Sequence, residues 1–215
     1  AERIERRKTS RYRGASALSN GFVKSKLADI DRSVPVGKRD YALLLVGLTT
    51  GRRVSELAAV RLSDVTSEDD THYTIRFRRT KGGKTMTDTL GVMVSRALSD
   101  WIAWMRDNVE FPFDDDPPLW MSFSNRSYKH AISGHAVARI CEQRFGVSKG
   151  HTLRHTFAAI MQASGASVTE IQSKLGHESL ATTGAYLKAL TSKDNKYADT
   201  LANSIMENED ENPTE

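Results

Sequence analysis

The chain has 215 residues with an apolar fraction of 39%, a single cysteine and a formal net charge of +4. This length allows a sizeable hydrophobic core, while the lone Cys141 excludes an internal disulfide and a multi-cysteine zinc site. No apolar run is long enough to span a bilayer and no signal peptide opens the chain, so we expect a cytoplasmic protein with no membrane partner.

Charge is distributed unevenly along the chain. Five acidic residues and no basic ones lie among residues 207–215, and without them the remainder carries +9. We expect residues 207–215 to form a disordered acidic tail and residues 1–18, rich in Arg and Lys, to be a basic arm or linker remnant. The basic remainder favours association with a polyanion, although solubility alone also explains a basic surface. Because the first residue is Ala1 rather than Met, we expect a fragment of a longer protein.

Residues 19–206 have the pattern of one mostly helical domain. Apolar periodicity predicts helices over residues 20–33, 37–49 and 53–60. Gly51 is predicted to end the helical conformation between the second and the third. These three segments supply the first half of the predicted core.

A β-hairpin is predicted next. Residues 71–79 alternate between apolar and polar side chains, which places Arg76 and Arg78 together on a basic outer face. Residues 81–84 read Lys-Gly-Gly-Lys and form the predicted turn, and residues 85–90 return as the partner strand.

Helical periodicity resumes in the second half. Val94, Leu98, Ile102 and Met105 recur at helical spacing and predict an amphipathic helix over residues 92–108. The Asp- and Pro-rich run after it predicts a loop at residues 111–118. Further helices are predicted over residues 134–145, 152–163, 168–175, 180–190 and 194–206. Cys141, in the first of these, is predicted to be a buried structural thiol. The expected fold class is mainly α with a small antiparallel β-hairpin or sheet (α+β).

Four residues of the C-terminal third favour phosphate chemistry. His151 and Arg154 lie three apart at the start of a predicted helix, where one face and the unpaired N–H groups suit an anion. His177 ends a predicted helix and Tyr186 follows nine residues later. A phenol, with a pKa of about 10, needs cations and a base to act as a nucleophile, and His151 and His177 are both candidates for that base. Taken singly, each residue also has an ordinary structural explanation.

Two further cations lie upstream. Arg53 precedes Glu56 by three residues, so the carboxylate can orient a guanidinium whose planar donors match phosphate oxygens. A surface salt bridge is the alternative. Lys81, on the predicted turn, can reach into a groove or donate a proton to a leaving oxygen. Lys84 is its rival for that role, and a solvated turn lysine is an equally simple interpretation.

Five segments resemble the tyrosine recombinases, or phage integrases, and stand in that family's order. They are residues 50–57 (TGRRVSEL), 81–84 (KGGK), 151–158 (HTLRHTFA), 175–177 (LGH) and 182–186 (TTGAY), and the resemblance extends over about residues 20–190. It implies the catalytic-domain fold of that family for residues 19–206.

The resemblance also implies a role for each site residue. Tyr186 is the nucleophile, and Arg53, Arg154 and His177 form the clamp on the scissile phosphate. His151 is a proton acceptor or a phosphate ligand, and Lys81 is the general acid for the 5′-hydroxyl leaving group. Glu56 matches an acidic position that supports the first arginine. Arg52 departs from the family, which commonly has an apolar residue there, and we expect this extra cation to reach DNA or solvent.

The implied reaction cleaves and rejoins DNA strands through a covalent 3′-phosphotyrosyl intermediate, without a metal, ATP or another cofactor. The implied partners are double-stranded DNA and further copies of the chain, as a homotetramer on paired DNA sites, so we expect a cytoplasmic protein associated with the nucleoid. Family members usually carry a separate N-terminal core-binding domain, which we expect to be missing from this fragment.

Three alternatives remain open at the level of sequence. A type IB topoisomerase shares this chemistry but relaxes supercoils instead of exchanging strands. A DNA-binding module without catalysis has no need for a tyrosine surrounded by His and Arg. A metal-free phosphoesterase built from residues 72–74 (HYT) and 177–179 (HES) leaves Arg53, His151 and Tyr186 without a purpose.

Overall fold

The computed structural model describes residues 17–67, 71–78, 85–111, 116–147 and 151–176. Within these ranges the chain forms helices joined to one small antiparallel sheet. The helices are α1 (Asn20–Ala28), α2 (Pro35–Thr50), α3 (Val54–Ala58), α4 (Val92–Asn108), α5 (Gly134–Phe145), α6 (Thr152–Ala163) and α7 (Val168–Leu175), and the strands are β1 (Val65–Ser67), β2 (Tyr73–Phe77) and β3 (Met86–Thr89). The predicted α+β fold class, mainly α with a small antiparallel sheet, is confirmed.

Helix α2 is the most deeply buried element of this arrangement. Residues 42–48 are all buried, and α2 packs against both α4 and α6. A helix that is apolar on all sides belongs in an interior, whereas α4 buries only one stripe. That stripe is the predicted one, with Val94, Leu98, Ile102 and Met105 all buried.

Helix α5 carries the single cysteine. The side chain of Cys141 is fully buried, and burial raises the pKa of its thiol to about 12. The predicted buried structural thiol is therefore confirmed.

The sheet has the order β1-β2-β3, with both pairs antiparallel. The hairpin of β2 and β3 was predicted from alternation, but β1 was not, because a strand of three residues is too short to show a period. Residues directly opposite each other share a face of the sheet. Asp88 therefore lies on the face of its partner Ile75, which is fully buried.

The predicted basic outer face of β2 is present, although it is not simply solvated. Arg76 and Arg78 are exposed, and the Nε atoms of both lie against one carboxylate oxygen of the buried Asp64. Asp64 therefore ties this end of the hairpin to the 3-10 turn at Leu62–Asp64.

Helix boundaries match the predictions for α4, α5, α6 and α7. The first helix instead ends at Ala28, five residues earlier than predicted, because the following chain makes a turn of its own. Ser33 donates from both N–H and Oγ to Asp31 Oδ1, and Val34 has the extended backbone that a following proline favours. Pro35 then begins α2.

Several predictions concern residues that lie outside the described ranges. These are the basic arm up to residue 16, the helices predicted over residues 180–190 and 194–206, and the acidic tail at residues 207–215. The proposed domain limits at residues 19 and 206 likewise stay a prediction. No helix in the described part of the chain has the length and apolarity needed to cross a membrane.

Candidate active site

Arg53 occupies the N-terminal boundary of α3. The carboxylate of Glu56 accepts the Arg53 backbone N–H at Oε2 (2.9 Å) and the Arg53 guanidinium Nη1 at Oε1 (2.7 Å). The Glu56 side chain is 2% exposed and that of Arg53 is 24% exposed, so the buried partner fixes the direction of the more accessible one. The pairing predicted from the spacing is confirmed.

Arg154 is buried in the first turns of α6 and joins two distant segments. Its Nη1 donates to the carbonyl oxygen of Gly51 at 2.9 Å, and its Nη2 donates to that of Leu175 at 2.6 Å. Gly51 lies two residues before Arg53, and Leu175 lies two residues before His177. Arg154 therefore brings the loop of the first arginine and the end of α7 to one place, although Gly51 is 103 residues away in sequence.

The position of Arg154 depends on a close approach between α2 and α6. A methyl group at Gly47 would lie 2.8 Å from Leu153 Cδ1, and one at Gly51 would overlap the ring of Phe157. Gly51 also has φ 63°, a left-handed conformation that ends α2 and that glycine adopts without strain. The predicted end of the helix at Gly51 is confirmed. The absence of a side chain at Gly51 permits both the left-handed turn and the close contact with Phe157 of α6.

His151 and His155 have different environments on α6. His151 is exposed at the helix N-terminus, and its side chain makes no capping hydrogen bond, so its ordinary structural explanation, a histidine that caps the helix, is not observed. His155 is partly buried, and burial together with electrostatic interaction with His151 and Arg154 lowers its pKa to about 4. His155 is therefore neutral near pH 7, and His151 is the more accessible of the two imidazoles.

Arg52 contradicts the expectation that it reaches DNA or solvent. Its side chain is 1% exposed, its Nε and Nη2 lie 2.8 and 2.6 Å from Asp88 Oδ2, and its guanidinium stacks over the Phe77 ring. The backbone at Arg53 is extended, and successive side chains of an extended chain point in opposite directions. Arg52 therefore points into the protein while Arg53 points away from it.

Asp88 and Lys174 belong to this neighbourhood and were missed in the sequence. Lys174 Nζ, near the end of α7, lies 3.5 Å from Asp88 Oδ1. The sequence carries a signal for the pair of Arg52 and Asp88: Asp88 alternates with the apolar Met86 and Leu90 along the predicted strand, and Arg52 stands where the resemblance implies an apolar residue. A buried acid and a buried base, each out of pattern, are best explained as partners.

The remaining predicted site residues lie outside the described ranges. They are Lys81 with its rival Lys84, His177 and Tyr186, and their roles stay predictions. Their flanking elements are described: β2 ends at Phe77 and β3 begins at Met86, on either side of the Lys-Gly-Gly-Lys segment. Helix α7 ends at Leu175, and Gly176, in a left-handed conformation, caps it immediately before His177.

A cleft of about 540 Å³ opens beside α3 and the N-terminus of α5. Ser55 and Glu56 line one side, and Arg61, Arg78 and Asp116 supply charges of both signs. In the described part of the chain, no group of three His, Cys, Asp or Glu side chains is placed to hold a metal ion.

Comparison with known proteins agrees with this geometry. The sequence model of the phage integrase family matches residues 22–193, and the chain belongs to that family. It is 33% identical over 186 residues to the putative integrase/recombinase y4rF of Sinorhizobium fredii, across 82% of this chain and 41% of that protein. It is 31% identical over 197 residues to the tyrosine recombinase XerA of Pyrococcus furiosus, across 89% of this chain and 64% of that protein.

Solved structures support the same fold. A XerH site-specific recombinase bound to palindromic difH substrate, in a post-cleavage complex, is similar with a TM-score of 0.64 and 25% identity, across 90% of this chain and 54% of that chain. The resemblance to the tyrosine recombinase catalytic-domain fold is thereby confirmed. The chain spans about half the length of the relatives it matches.

Proposed function

We propose that this chain is the catalytic domain of a site-specific DNA recombinase or integrase that cleaves and rejoins DNA strands through a 3′-phosphotyrosyl intermediate. The observation that carries the proposal is the double hydrogen bond of Arg154 to Gly51 and Leu175. A buried arginine joins the Arg53 loop to the segment that leads to His177, and family membership supports this assignment of the site.

The proposed chemistry begins with in-line attack of the Tyr186 phenolic oxygen on the phosphorus of a DNA phosphodiester. A bond forms between that oxygen and phosphorus, and the bond from phosphorus to the 5′-oxygen breaks. His151 accepts the phenolic proton or contacts the phosphate, and Lys81, or its rival Lys84, gives a proton to the departing 5′-oxygen. His177 contacts a non-bridging oxygen of the phosphate.

The two arginines stabilise the charge that gathers on the non-bridging oxygens during this attack. Removing one such donor typically slows a reaction by about 10²–10³-fold. Glu56 contributes because a guanidinium held at two atoms by a buried carboxylate is oriented before the substrate binds. The phosphotyrosyl diester has nearly the same bond energy as the DNA linkage that it replaces. Attack by a free 5′-hydroxyl can therefore rejoin a strand without ATP or a metal ion.

The proposed substrate is double-stranded DNA, bound in the cytoplasm at the nucleoid. The XerH relative was crystallised bound to a palindromic difH substrate, which supports DNA as the partner class. We further propose a homotetramer on paired sites as the assembly that exchanges strands, since complete exchange between two duplexes breaks four strands, one for each copy of the chain.

Replacing the nucleophile is the direct test. We expect the chain, mixed with end-labelled nicked duplexes of randomised sequence around the nick, to yield a protein–DNA band that survives boiling in detergent. Tyr186→Phe removes the phenolic oxygen and should abolish this band while leaving DNA binding nearly unchanged. Tyr128→Phe, which alters an exposed tyrosine of the described part of the chain, should keep the band.

Each other outcome of this test is informative. A band that persists in Tyr186→Phe contradicts the assignment of the nucleophile. Absence of the band from the unaltered chain, with DNA bound, would favour the binding module without catalysis. Relaxation of supercoiled plasmid without joined products would instead favour the type IB topoisomerase.

A further inference from the structure

The carboxylate of Asp88 joins three segments that are distant in sequence. Its Oδ2 accepts a hydrogen bond from Arg52 Nε at 2.8 Å and lies 2.6 Å from Arg52 Nη2. Its Oδ1 lies 3.5 Å from Lys174 Nζ. Asp88 belongs to β3, Arg52 to the loop between α2 and α3, and Lys174 to the end of α7. Through this one side chain, the hairpin contacts both the loop and the helix.

Burial makes the Arg52–Asp88 pair act as a unit. The two side chains are 1% and 6% exposed, and the guanidinium carbon of Arg52 lies 5.3 Å from the centre of the Phe77 ring. Breaking a buried ion pair leaves an uncompensated charge, which is far more damaging than removing both partners together. Lys174 differs because its side chain is 57% exposed, so its contact with Asp88 is the weaker one and acts together with the approach of Met86 to Gly176 at the end of α7.

Each of the three segments leads directly to a proposed catalytic residue. Arg52 immediately precedes Arg53, and its inward direction fixes the outward direction of its neighbour. Lys174 stands three residues before His177. Strand β3 follows the Lys-Gly-Gly-Lys segment that contains Lys81, and Met86 of that strand lies close to Gly176 at the end of α7.

We propose that Asp88 is a positioning residue, which with buried Arg52 and with Lys174 holds the Arg53 loop, the hairpin and the end of α7 in their reactive arrangement. The inference rests on the proposed function for what is positioned. It also assigns Arg52 to this internal pair and not to DNA.

Asp88→Asn is the most conservative substitution that tests the proposal, since the amide keeps the size of the side chain and removes its charge. We expect adduct formation on nicked DNA to slow by about 10²-fold, as expected for displaced catalytic groups, at a temperature where circular dichroism shows a folded chain. Asp107→Asn, on the exposed side of α4, removes the same charge and should leave the rate unchanged. A normal rate in Asp88→Asn contradicts the proposal.

A double-variant comparison separates pairing from two independent losses. Arg52→Leu and Asp88→Val should each slow adduct formation by about 10²-fold, because each leaves a buried charge without its partner. The double variant Arg52→Leu/Asp88→Val removes both charges and should recover most of the lost rate. Losses that simply multiply in the double variant would overturn the pairing.

Amide hydrogen exchange measures how firmly the three segments are held, without relying on catalysis. In Asp88→Asn we expect faster amide exchange in α7 and in residues 51–57, with exchange in α4 unchanged. A uniform increase, or unchanged exchange in α7, would overturn the proposal. If the unaltered chain forms no adduct, the recombinase chemistry fails, whereas the exchange comparison still decides whether Asp88 holds the three segments together.

Discussion

The described part of the chain contains a large and a small hydrophobic cluster, which are held in different ways. The large cluster collects buried side chains from α2, α4, α5 and the sheet. The small one consists of Phe157, Ala158, Ile171 and Leu175 on α6 and α7, with a few partly buried neighbours. Four buried side chains exclude too little surface from water to hold a helix pair firmly by themselves.

Apolar packing of α6 on α2, with Leu153 in the large cluster, and directional polar contacts together attach the small cluster to the large one. Arg154 donates to the carbonyl oxygens of Gly51 and Leu175, and Lys174 contacts Asp88. Apolar packing tolerates small displacements, whereas hydrogen bonds of a fixed guanidinium fix orientation. The comparison indicates that the large cluster supplies stability and that the polar contacts set the geometry of the proposed active site.

Removing Arg154 should give the largest effect on this arrangement. Arg154→Ala takes the donor from two carbonyl oxygens and a cation from the phosphate, so we expect adduct formation to fall by about 10³-fold. Each carbonyl left without a partner also costs about 1–3 kcal/mol of stability. Arg106→Ala, an exposed arginine of α4, is the control, and both properties are measured by denaturing gels and thermal unfolding. An Arg154→Ala chain with normal adduct formation contradicts the proposed clamp.

Two truncations matched for burial should separate the two clusters. Leu98 and Ile171 are both fully buried, the first in the large cluster and the second in the small one. Leu98→Ala should lower the free energy of global unfolding by about 2–5 kcal/mol, without changing the adduct rate of the folded fraction. Ile171→Ala should lower it less, while speeding hydrogen exchange in α7 and slowing adduct formation. If Leu98→Ala and Ile171→Ala lowered the free energy of unfolding equally and slowed adduct formation equally, the two clusters would not have different roles.

The smallest predicted effect is a pH dependence from His155. Its pKa is lowered to about 4 in the folded chain, so between pH 6.5 and 4 the unfolded chain binds a proton that the folded chain does not. The free energy of unfolding therefore decreases as the pH falls through this window. Because His155 is only partly buried, we expect its share to be on the order of 1 kcal/mol.

The contribution of His155 is measured by comparing variants in urea unfolding at several pH values. His155→Gln should flatten the decrease between pH 6.5 and 4, whereas His135→Gln, an exposed histidine of α5, should leave it unchanged. An identical slope in His155→Gln and the unaltered chain would show that His155 titrates normally.

Local rules were sufficient to predict much of the fold. Helices α4 to α7 follow from apolar periodicity, and in the structure their ends coincide with residues that favour helix ends, such as Ser133, Ser167 and Gly146. The Arg53–Glu56 contact follows from a spacing of three on one helical turn. Each of these features depends on residues that are close in sequence.

Features that depend on distant residues were harder to predict. The bonds of Arg154 end on backbone carbonyls, which every residue carries and which leave no signature in a sequence. Arg52 was assigned outward on polarity alone, because its partner Asp88 becomes adjacent only through the packing of the sheet. Strand β1 offered three residues and no usable period.

Peptide mapping of the trapped protein–DNA adduct tests the central claim most directly. After nuclease and protease digestion, mass spectrometry should find the residual nucleotide, joined through its 3′-phosphate, on the peptide that contains Tyr186, with fragmentation placing it on the phenolic oxygen. A nucleotide on another residue, or one joined through a 5′-phosphate, would contradict the proposed reaction.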